Sequence, residues 1–182
     1  MAHEIRISGE GGQGIILAGI ILAEAAIADG KNVAQTQAYG PESRGGATKS
    51  EVIISDQEIA YPKATRLDLL LALTQEACDK HRRDLKEGGM LVVEASRVVA
   101  VPERGCVVHR LPFVETARET VGRALAANIV ALGAVVGLSG VVSREAIERA
   151  VAIRSPKRTG EQNLVALAAG FDLVRTAAGH VA

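Results

Sequence analysis

The chain has few aromatic residues, no tryptophan and no excess of charge of either sign. Aromatic residues make up 2% of its 182 residues, and 21 lysines and arginines balance 21 aspartates and glutamates. Nucleic-acid-binding proteins use a basic surface for the phosphates and, for single strands, aromatic side chains on which the bases stack. This composition therefore argues against nucleic-acid binding.

Cysteine is equally scarce. The two cysteines, Cys78 and Cys106, are far apart in the sequence and form no C-x-x-C pair. An iron–sulfur cluster needs about four thiolates, so we predict inert, reduced thiols here and any redox centre in another chain. The histidines show no ligand spacing, and we predict no metal site. They are His3, His81, His109 and His180.

The N-terminal residues Met1 to Glu4 lack the basic region and apolar run of a signal peptide, which predicts a cytosolic protein. At 182 residues the chain is long enough for one α/β domain with a substantial core. We predict a single domain over 1–182, with a sheet core over 1–112 and a mainly helical region over 113–182. Within that region, Ser143 is expected to cap one helix and residues 159–162 to form the capping box of the last.

The longest apolar stretch covers residues 124–142, where only Asn128 and Ser139 are clearly polar. Its length is that of a membrane span. We predict no span, because glycines interrupt the stretch and the flanking sequence has the pattern of a water-exposed α/β protein. We instead expect a helix buried between the sheet and another surface. A second chain is one candidate for that surface, since Gly133 and Gly137 would allow close helix approach, and it makes a homodimer of the isolated chain plausible.

Six strand-like runs are separated in several places by helical stretches. Residues 69–73 and 90–93 are continuous apolar runs, typical of strands covered on both faces of a largely parallel sheet. The turn Asp56-Gln57 predicts a short return strand over 58–60, which would make the sheet mixed. We therefore expect a Rossmann-like α/β fold with a mixed, mostly parallel sheet flanked by helices. The predicted strands cover residues 4–8, 33–37, 50–55, 67–73, 90–94 and 106–110.

A glycine-rich segment, Gly9-Glu10-Gly11-Gly12-Gln13-Gly14, follows the first strand and leads into an apolar helix near Ile15. Glycine permits positive φ and close approach of a ligand, and the first N–H groups of the helix can bind an anion. The segment also fits G-x-G-x-x-G. Two interpretations remain open, namely binding of a phosphate or carboxylate, and a tight turn that only packs the strand against the helix.

A dinucleotide-binding domain that selects NAD has an acid at the end of its second strand, which binds the ribose hydroxyls. Here that strand is Val33-Ala34-Gln35-Thr36-Gln37 and ends without an acid. This argues against NAD. Arg44 could meet a ribose phosphate, so NADP or another phosphorylated nucleotide stays open.

Polar and glycine residues follow several of the predicted strands, where the carboxyl edge of a parallel sheet forms its ligand crevice. They contain no clear pairing of a nucleophile with a base, so we predict no catalytic residue. Glu10, Glu42 and Glu76 are more typical of solvated or helix-capping acids than of acid–base catalysts. The segments are residues 9–14, 38–46, 74–76 and 94–96. The residues predicted to bind a ligand are Gly9, Gly11, Gly12, Gln13, Gly14, Ser43, Arg44, Gly45, Gly46, Thr74 and Gln75.

Two of these segments, residues 9–14 and 35–46, together resemble the gamma subunit of 2-oxoacid:ferredoxin oxidoreductases. The resemblance continues in order through most of the chain and is greatest to the 2-oxoglutarate branch, followed by the pyruvate and ketoisovalerate enzymes. The further matching segments are residues 50–55, 61–63, 72–77, 128–133 and 161–164.

The resemblance implies a non-catalytic subunit of a complex that decarboxylates a 2-oxoacid, reduces ferredoxin and forms an acyl-coenzyme A. It implies alpha and beta subunits and a ferredoxin-like delta subunit, and it places thiamine diphosphate and the iron–sulfur clusters in those partners. In related single-chain pyruvate enzymes, the equivalent domain helps to bind the nucleotide end of coenzyme A. We therefore expect residues 11–14 to meet its pyrophosphate, although Gly-Gly-Gln-Gly stands here in place of a lysine-rich loop, and Arg44 to meet a phosphate or a partner group.

Two alternatives stay open. The chain could be a purely structural subunit, whose glycine segment and apolar helix dock the catalytic chains. It could also be a stand-alone nucleotide-dependent oxidoreductase, which would be active alone with NADP. The 2-oxoacid itself is not encoded in this chain if other subunits bind it.

Overall fold

The structure is a computed structural model, which describes residues 2–39, 47–101 and 105–178. Its six strands are β1 (His3–Glu10), β2 (Asn32–Ala38), β3 (Ala47–Ser55), β4 (Leu67–Ala72), β5 (Leu85–Glu94) and β6 (Cys106–Leu111). They form one sheet in the order β2-β3-β1-β4-β5-β6. All six predicted strands are present, so the predicted α/β class with a mixed, mostly parallel sheet is confirmed.

The sheet is mixed because β3 runs antiparallel to both of its neighbours, β1 and β2, whereas β1, β4, β5 and β6 are parallel. The predicted return strand over 58–60 is wrong, since residues 56–66 contain neither helix nor strand. β3 has no need of a hairpin partner there, because both of its edges are already paired along its length.

The six α-helices of the described residues are α1 (Ile15–Ala28), α2 (Gln75–His81), α3 (Phe113–Val121), α4 (Ala127–Ser139), α5 (Arg144–Arg154) and α6 (Gly160–Ala178). Short 3-10 turns precede β5 (Arg82–Asp84) and α4 (Ala124–Ala126). Ser143 caps α5 as predicted, since its hydroxyl oxygen accepts a hydrogen bond from the N–H of Ala146. The Thr159 hydroxyl instead donates to the carbonyl of Pro156.

The sheet separates two apolar layers. Alternate residues of β4 show the division, because Leu69 and Leu71 pack with helices α1 and α3 to α6, whereas Leu70 faces the opposite side. On that side the sheet packs against α2 and its flanking segments, through residues such as Ala77 and Val98. The core strands are thus covered on both faces, as their continuous apolar sequences indicate.

Helix α4 is the buried centre of the larger layer, since every residue from Ala127 to Val136 is buried. Its partner is α6 of the same chain. A Cβ added to Gly133 would lie 2.2 Å from the carbonyl oxygen of Leu167, and one added to Gly170 would lie 2.0 Å from that of Val130. The prediction of close helix approach is therefore right. The suggestion that a second chain covers this helix is wrong, because α6 of the same chain already does so. The sequence did not identify α6 as the partner, since the contact joins residues that are far apart in the chain.

Neither α4 nor any other helix in the described ranges is long and apolar enough to cross a membrane.

A cluster of charged side chains surrounds the buried Arg6 on the α2 face of the sheet. Arg6 on β1 pairs with the directly opposite Glu51 on β3, and the Arg6 Nη2 and Glu51 Oε1 atoms are 2.8 Å apart. Lys49 Nζ reaches the same oxygen at 2.7 Å, and Asp84 forms a further ion pair with Arg6. The His81 ring nitrogen Nδ1 lies 3.3 Å from Arg6 Nη1. The buried guanidinium of Arg6 thus has three partners, Glu51, Asp84 and His81, which offset the cost of removing its charge from water.

Candidate functional site

The glycine segment forms the turn between β1 and α1. β1 continues through Gly9 and Glu10, which pair with Thr48 and Ala47 of β3. The predicted loop is therefore shorter than expected and covers residues 11–14. Gly12 and Gly14 have φ angles of 90° and 74°, in the region that favours glycine. The turn delivers the backbone to the N-terminus of α1 at Ile15.

The side chain of Gln13 folds back over this turn. Its Oε1 atom accepts a hydrogen bond of 2.7 Å from the backbone N–H of Glu10. A Cβ on Gly9 would lie only 2.2 Å from the same oxygen, whereas a Cβ on Gly12 would meet nothing within 4 Å. A side chain at Gly9 would therefore displace the Gln13 amide and crowd Ile15 and Leu73, whose nearest carbons lie 3.1 and 3.2 Å away. Gly12 faces open space, where a ligand can approach the backbone.

Asn128 of α4 holds the other end of the turn. The residue is 7% exposed, and its Nδ2 donates a hydrogen bond of 3.3 Å to the carbonyl of Gly14. A Cβ on Gly14 would lie 2.2 Å from this nitrogen, so glycine is required there for close approach as well as for φ. In the sequence Asn128 is only a polar interruption of an apolar run. The structure shows that it connects α4 to the glycine turn.

A cleft of about 170 Å³ lies between the glycine turn and the segment 114–128. We call it the arginine cleft, because two arginines line it, Arg97 and Arg118. Gly12 and Gln13 lie on one side of it. Its other lining residues are Leu73, Glu94, Val114, Ala124, Leu125, Ala127 and Asn128. The cleft thus combines cations, exposed backbone and apolar side chains, which is the usual composition of a ligand site.

The two arginines differ in their partners. Arg97 follows β5, and its Nη1 is 3.4 Å from Oε2 of Glu10. Both side chains of this pair are 48% exposed, so solvent screens their attraction. Arg118 lies in the last turn of α3 and its side chain forms no hydrogen bond or ion pair with any residue that the structure describes. Its charge is therefore available to an anion in the cleft.

Glu94 is a buried carboxylate at the end of β5, and it is 1% exposed. Its Oε1 accepts hydrogen bonds from the N–H and the hydroxyl of Ser96, at 3.0 and 2.7 Å. Its Oε2 accepts a bond of 2.9 Å from the N–H of Val114, in the first turn of α3. Glu94 thus satisfies an otherwise unpaired N–H of that helix, which is a structural task.

A second cleft, of about 220 Å³, shares Gly12, Leu125 and Asn128 with the first. It extends toward the connection between α5 and α6, at Pro156 and Thr159. Leu125 is 70% exposed and lines both clefts. The two spaces therefore adjoin at the glycine turn, and an elongated ligand bound there could extend into both.

Only some of the predicted ligand residues meet at this place. Thr74 caps α2, since its hydroxyl oxygen accepts a bond from the N–H of Ala77. The Gln75 side chain accepts bonds from the N–H groups of Val99 and Ala100. Neither residue lines either cleft. Ser43, Arg44, Gly45 and Gly46 lie outside the described residues.

In a dinucleotide-binding domain, the acid that selects NAD lies at the end of a strand that neighbours the first. Here β3 separates β2 from β1. The end of β2 is therefore two strands away from the glycine turn, and the lack of an acid there does not bear on a ligand at that turn. The expectation that the chain does not use NAD therefore stays a prediction.

In the ranges that the structure describes, no three His, Cys, Asp or Glu side chains are grouped so that they could hold a metal ion. Cys78 and Cys106 are free thiols, and burial raises the pKa of each. Raised thiol pKa values leave both cysteines mainly protonated near neutral pH, a form that is a poor metal ligand and nucleophile.

Several known proteins are similar to this chain. It is 47% identical to the 2-oxoglutarate synthase subunit KorC of Methanocaldococcus jannaschii, over 96% of this chain and 95% of that protein. Among solved structures, the gamma subunit of a keto/oxoacid ferredoxin oxidoreductase from Geobacter sulfurreducens is 53% identical, with a TM-score of 0.86, and the match covers 96% of this chain and 99% of that one.

A further solved structure is the 2-oxoglutarate:ferredoxin oxidoreductase from Magnetococcus marinus with 2-oxoglutarate, coenzyme A and succinyl-CoA bound. It is 26% identical, with a TM-score of 0.86, over 96% of this chain but only 31% of that longer one. The model of the pyruvate ferredoxin/flavodoxin oxidoreductase family matches residues 4–173. The resemblance found in the sequence is thus confirmed, and the chain belongs to the pyruvate ferredoxin/flavodoxin oxidoreductase family.

Proposed function

We propose that this chain is the non-catalytic gamma subunit of a 2-oxoacid:ferredoxin oxidoreductase whose substrate is 2-oxoglutarate or a related 2-oxoacid. The similarity over nearly the full length of two gamma-type relatives, at 47% and 53% identity, is the observation that carries this proposal. In it, alpha, beta and ferredoxin-like delta subunits complete the complex in the cytosol and hold the thiamine diphosphate and the iron–sulfur clusters. Residues 1–182 form one domain of gamma type.

The test is to express the chain alone and together with the products of the neighbouring reading frames. We expect the chain alone to be inactive, and the co-purified complex to reduce ferredoxin with 2-oxoglutarate and coenzyme A. Comparison with pyruvate and 2-oxoisovalerate identifies the preferred substrate. Turnover by the lone chain with NADP would contradict the proposal and support a stand-alone enzyme.

Within the complex, the glycine turn contributes to the binding of coenzyme A. Gly12 faces open space, so a diphosphate can approach the backbone at the N-terminus of α1. Two arginines line the adjoining cleft. The helix terminus favours an anion by about 0.3 to 1 kcal/mol, which is modest beside a charged hydrogen bond of about 1.5 to 3 kcal/mol.

The second candidate is a purely structural subunit, and a specific observation favours it. Gly9 and Gly14 are closely contacted by Gln13 and Asn128, so part of the glycine pattern is explained by packing alone. The two candidates differ in what Gly12→Val and Arg44→Ala would do. A ligand role predicts a raised KM for coenzyme A in an intact complex. A structural role predicts loss of assembly, with an unchanged KM in whatever complex remains.

A further inference from the structure

The outer edge of β2 is open. β2 is the last strand on its side of the sheet, and no strand in the described ranges pairs with that edge. None of its residues is buried, and its register with β3 continues from Asn32 to Ala38 without a bulge. Proteins usually protect such an edge with a charged residue, a proline or a bulge. The strand sequence Asn-Val-Ala-Gln-Thr-Gln-Ala contains neither a charge nor a proline, so β2 can accept a further strand.

A cavity of about 300 Å³ adjoins the second half of β2. We call it the lysine cavity, because Lys49 and Lys63 line it. Since Glu51 also lines it, the cavity opens on the α2 face of the sheet, beside the Arg6 cluster. It shares no lining residue with either cleft at the glycine turn. The remaining lining residues are Thr36, Gln37, Ala38 and Pro62.

The lysine cavity has one positive charge that its own acids do not balance. Lys49 and Arg6 both pair with Glu51, and Arg6 also pairs with Asp84. Lys63 is exposed and forms no hydrogen bond or ion pair with any residue that the structure describes. Three cations thus share two carboxylates in and around the cavity. A carboxylate that entered from outside would complete the balance.

The two tyrosines of the chain border the same place. Tyr39 follows Ala38 and Tyr61 precedes Pro62, and the two tyrosines are 67% and 62% exposed. Tyrosine is enriched at protein interfaces, where its ring covers apolar area and its hydroxyl stays hydrogen-bonded. An open strand edge beside exposed tyrosines suits a polypeptide better than a small anion.

A second copy of this chain fits the edge poorly. Antiparallel pairing of two β2 edges would place both lysine cavities on the same face of the joined sheet. Lys63 of each copy would then add to the positive charge of that face, without an acid to balance it. The charge therefore favours a partner that is acidic.

We propose that an extended, acidic segment of a companion chain adds to the outer edge of β2 as a seventh strand, and that one of its carboxylates enters the lysine cavity and pairs with Lys63. The inference rests on the proposed function, which supplies the companion chains. Backbone hydrogen bonds to β2 provide affinity in this arrangement. The carboxylate fixes the register, because a shift by one residue would turn it to the other face of the sheet.

Hydrogen exchange tests the added strand. The amides of residues 32–38 are compared between the chain alone and the complex that it forms with its companion chains, and residues 106–111 of β6, at the opposite edge, serve as the internal comparison. We expect exchange in β2 to slow by roughly tenfold or more in the complex, because its outward N–H groups become hydrogen-bonded. Unchanged exchange in β2, or slowing in β6 alone, would overturn the inference.

Charge substitutions test the lysine cavity. The variants are Lys63→Met and Lys63→Glu, and the matched control is Lys80→Glu, at an exposed lysine of α2 that does not line the cavity. The measurement is the dissociation constant of the chain from its immobilised companion chains. We expect Lys63→Met to weaken binding by roughly two- to fivefold. Lys63→Glu should weaken it by roughly tenfold or more, since it repels the incoming carboxylate. The control should leave binding unchanged.

Added salt should weaken binding of the parent chain more than binding of Lys63→Met, because it screens the ion pair that the variant lacks. Unchanged affinity in Lys63→Glu would overturn the inference, as would a homodimer of the lone chain in which β2 is protected. If the complex still reduces ferredoxin with 2-oxoglutarate in that case, the proposed function survives. If the chain does not bind the companion chains at all, both fail together.

Discussion

The Nη2 atom of Arg6 and the Oε1 atom of Glu51 lie 2.8 Å apart across the pair of strands β1 and β3, and each side chain is 5% exposed. Thr36 on β2 lies directly opposite Glu51 on the other side of β3, and its hydroxyl donates a hydrogen bond of 3.2 Å to Glu51 Oε2. The antiparallel strand β3 thus carries a carboxylate to which both of its neighbours bond. This arrangement ties the inserted strand to the rest of the sheet.

We expect Glu51→Gln to lower the free energy of unfolding by about 3 kcal/mol, because it leaves the buried Arg6 without the compensating charge that is buried with it. Lys49→Met is the matched control. It removes the third member of the cluster, whose side chain is 30% exposed, and should cost less than about 1 kcal/mol. Urea denaturation measures both. Equal losses in the two variants would show that burial of the pair is not what matters.

Stability is expected to fall in mildly acidic solution because of His81. Burial, together with the charge of Arg6, lowers the pKa of His81 from 6.5 to about 4. Between these values the unfolded chain binds a proton that the folded chain does not, so the free energy of unfolding decreases as the pH falls. Lys49 and Lys80 oppose the protonated form as well, whereas Asp84 favours it.

From pH of about 7.5 to about 5, this group alone should remove about 2 kcal/mol of stability. In His81→Asn, whose amide oxygen can replace Nδ1 as an acceptor, the pH dependence should be flatter by that amount. His3→Gln, at an exposed histidine, should keep the slope of the parent. Urea denaturation at both pH values gives the comparison, and an unchanged slope in His81→Asn would refute the assignment.

Glu51 also lowers the free energy of unfolding as the pH falls and its carboxylate becomes protonated. Burial raises its pKa, but Lys49 and Arg6 outweigh this and hold the pKa below its ordinary value.

The contact between α4 and α6 leads to a sharp difference between two glycines. In Gly133→Ala the new methyl would lie 2.2 Å from the backbone oxygen of Leu167, so the helices must separate, at a cost of about 1 to 3 kcal/mol. In Gly137→Ala it would lie 3.1 Å from a ring carbon of Phe171, a side chain that can shift. Alanine also favours the helix by about 1 kcal/mol. Thermal unfolding should therefore show a large loss for the first variant and little change for the second.

We expect Glu94→Gln to destabilise the protein by about 1 to 3 kcal/mol, since its NH2 group must face at least one of the backbone donors that the carboxylate now accepts. Ser96→Ala removes only one hydroxyl donor and should cost about 1 kcal/mol or less. Denaturation gives the energies. Hydrogen exchange of the Val114 amide should accelerate in the glutamine variant alone. Equal exchange in both variants would remove the capping role.

The sequence allowed the six strands to be located, because their apolar runs and alternation are local properties. It did not reveal the direction of β3, since that depends on which strands it meets in space. The burial of α4 was predicted from its composition, but the identity of its partner was not, because α6 lies some thirty residues on. In the site, Arg97 could have been predicted from the rule that ligands bind at the residues that follow the strands, because it comes directly after Ser96. Arg118 was not, because a helix from the C-terminal region brings it to the cleft.

Because β3 is inserted between β1 and β2, the segment that connects β2 to β3 can change in sequence while the strands of the sheet keep their register. The segment 39–46 begins after Ala38, which pairs with Lys49, and leads into Ala47, which pairs with Glu10. Both of its anchors are fixed in register by neighbouring strands. Natural selection can therefore lengthen, shorten or recode the connection between these anchors without shifting any strand, so its chemistry can diverge among descendants while the scaffold is inherited intact.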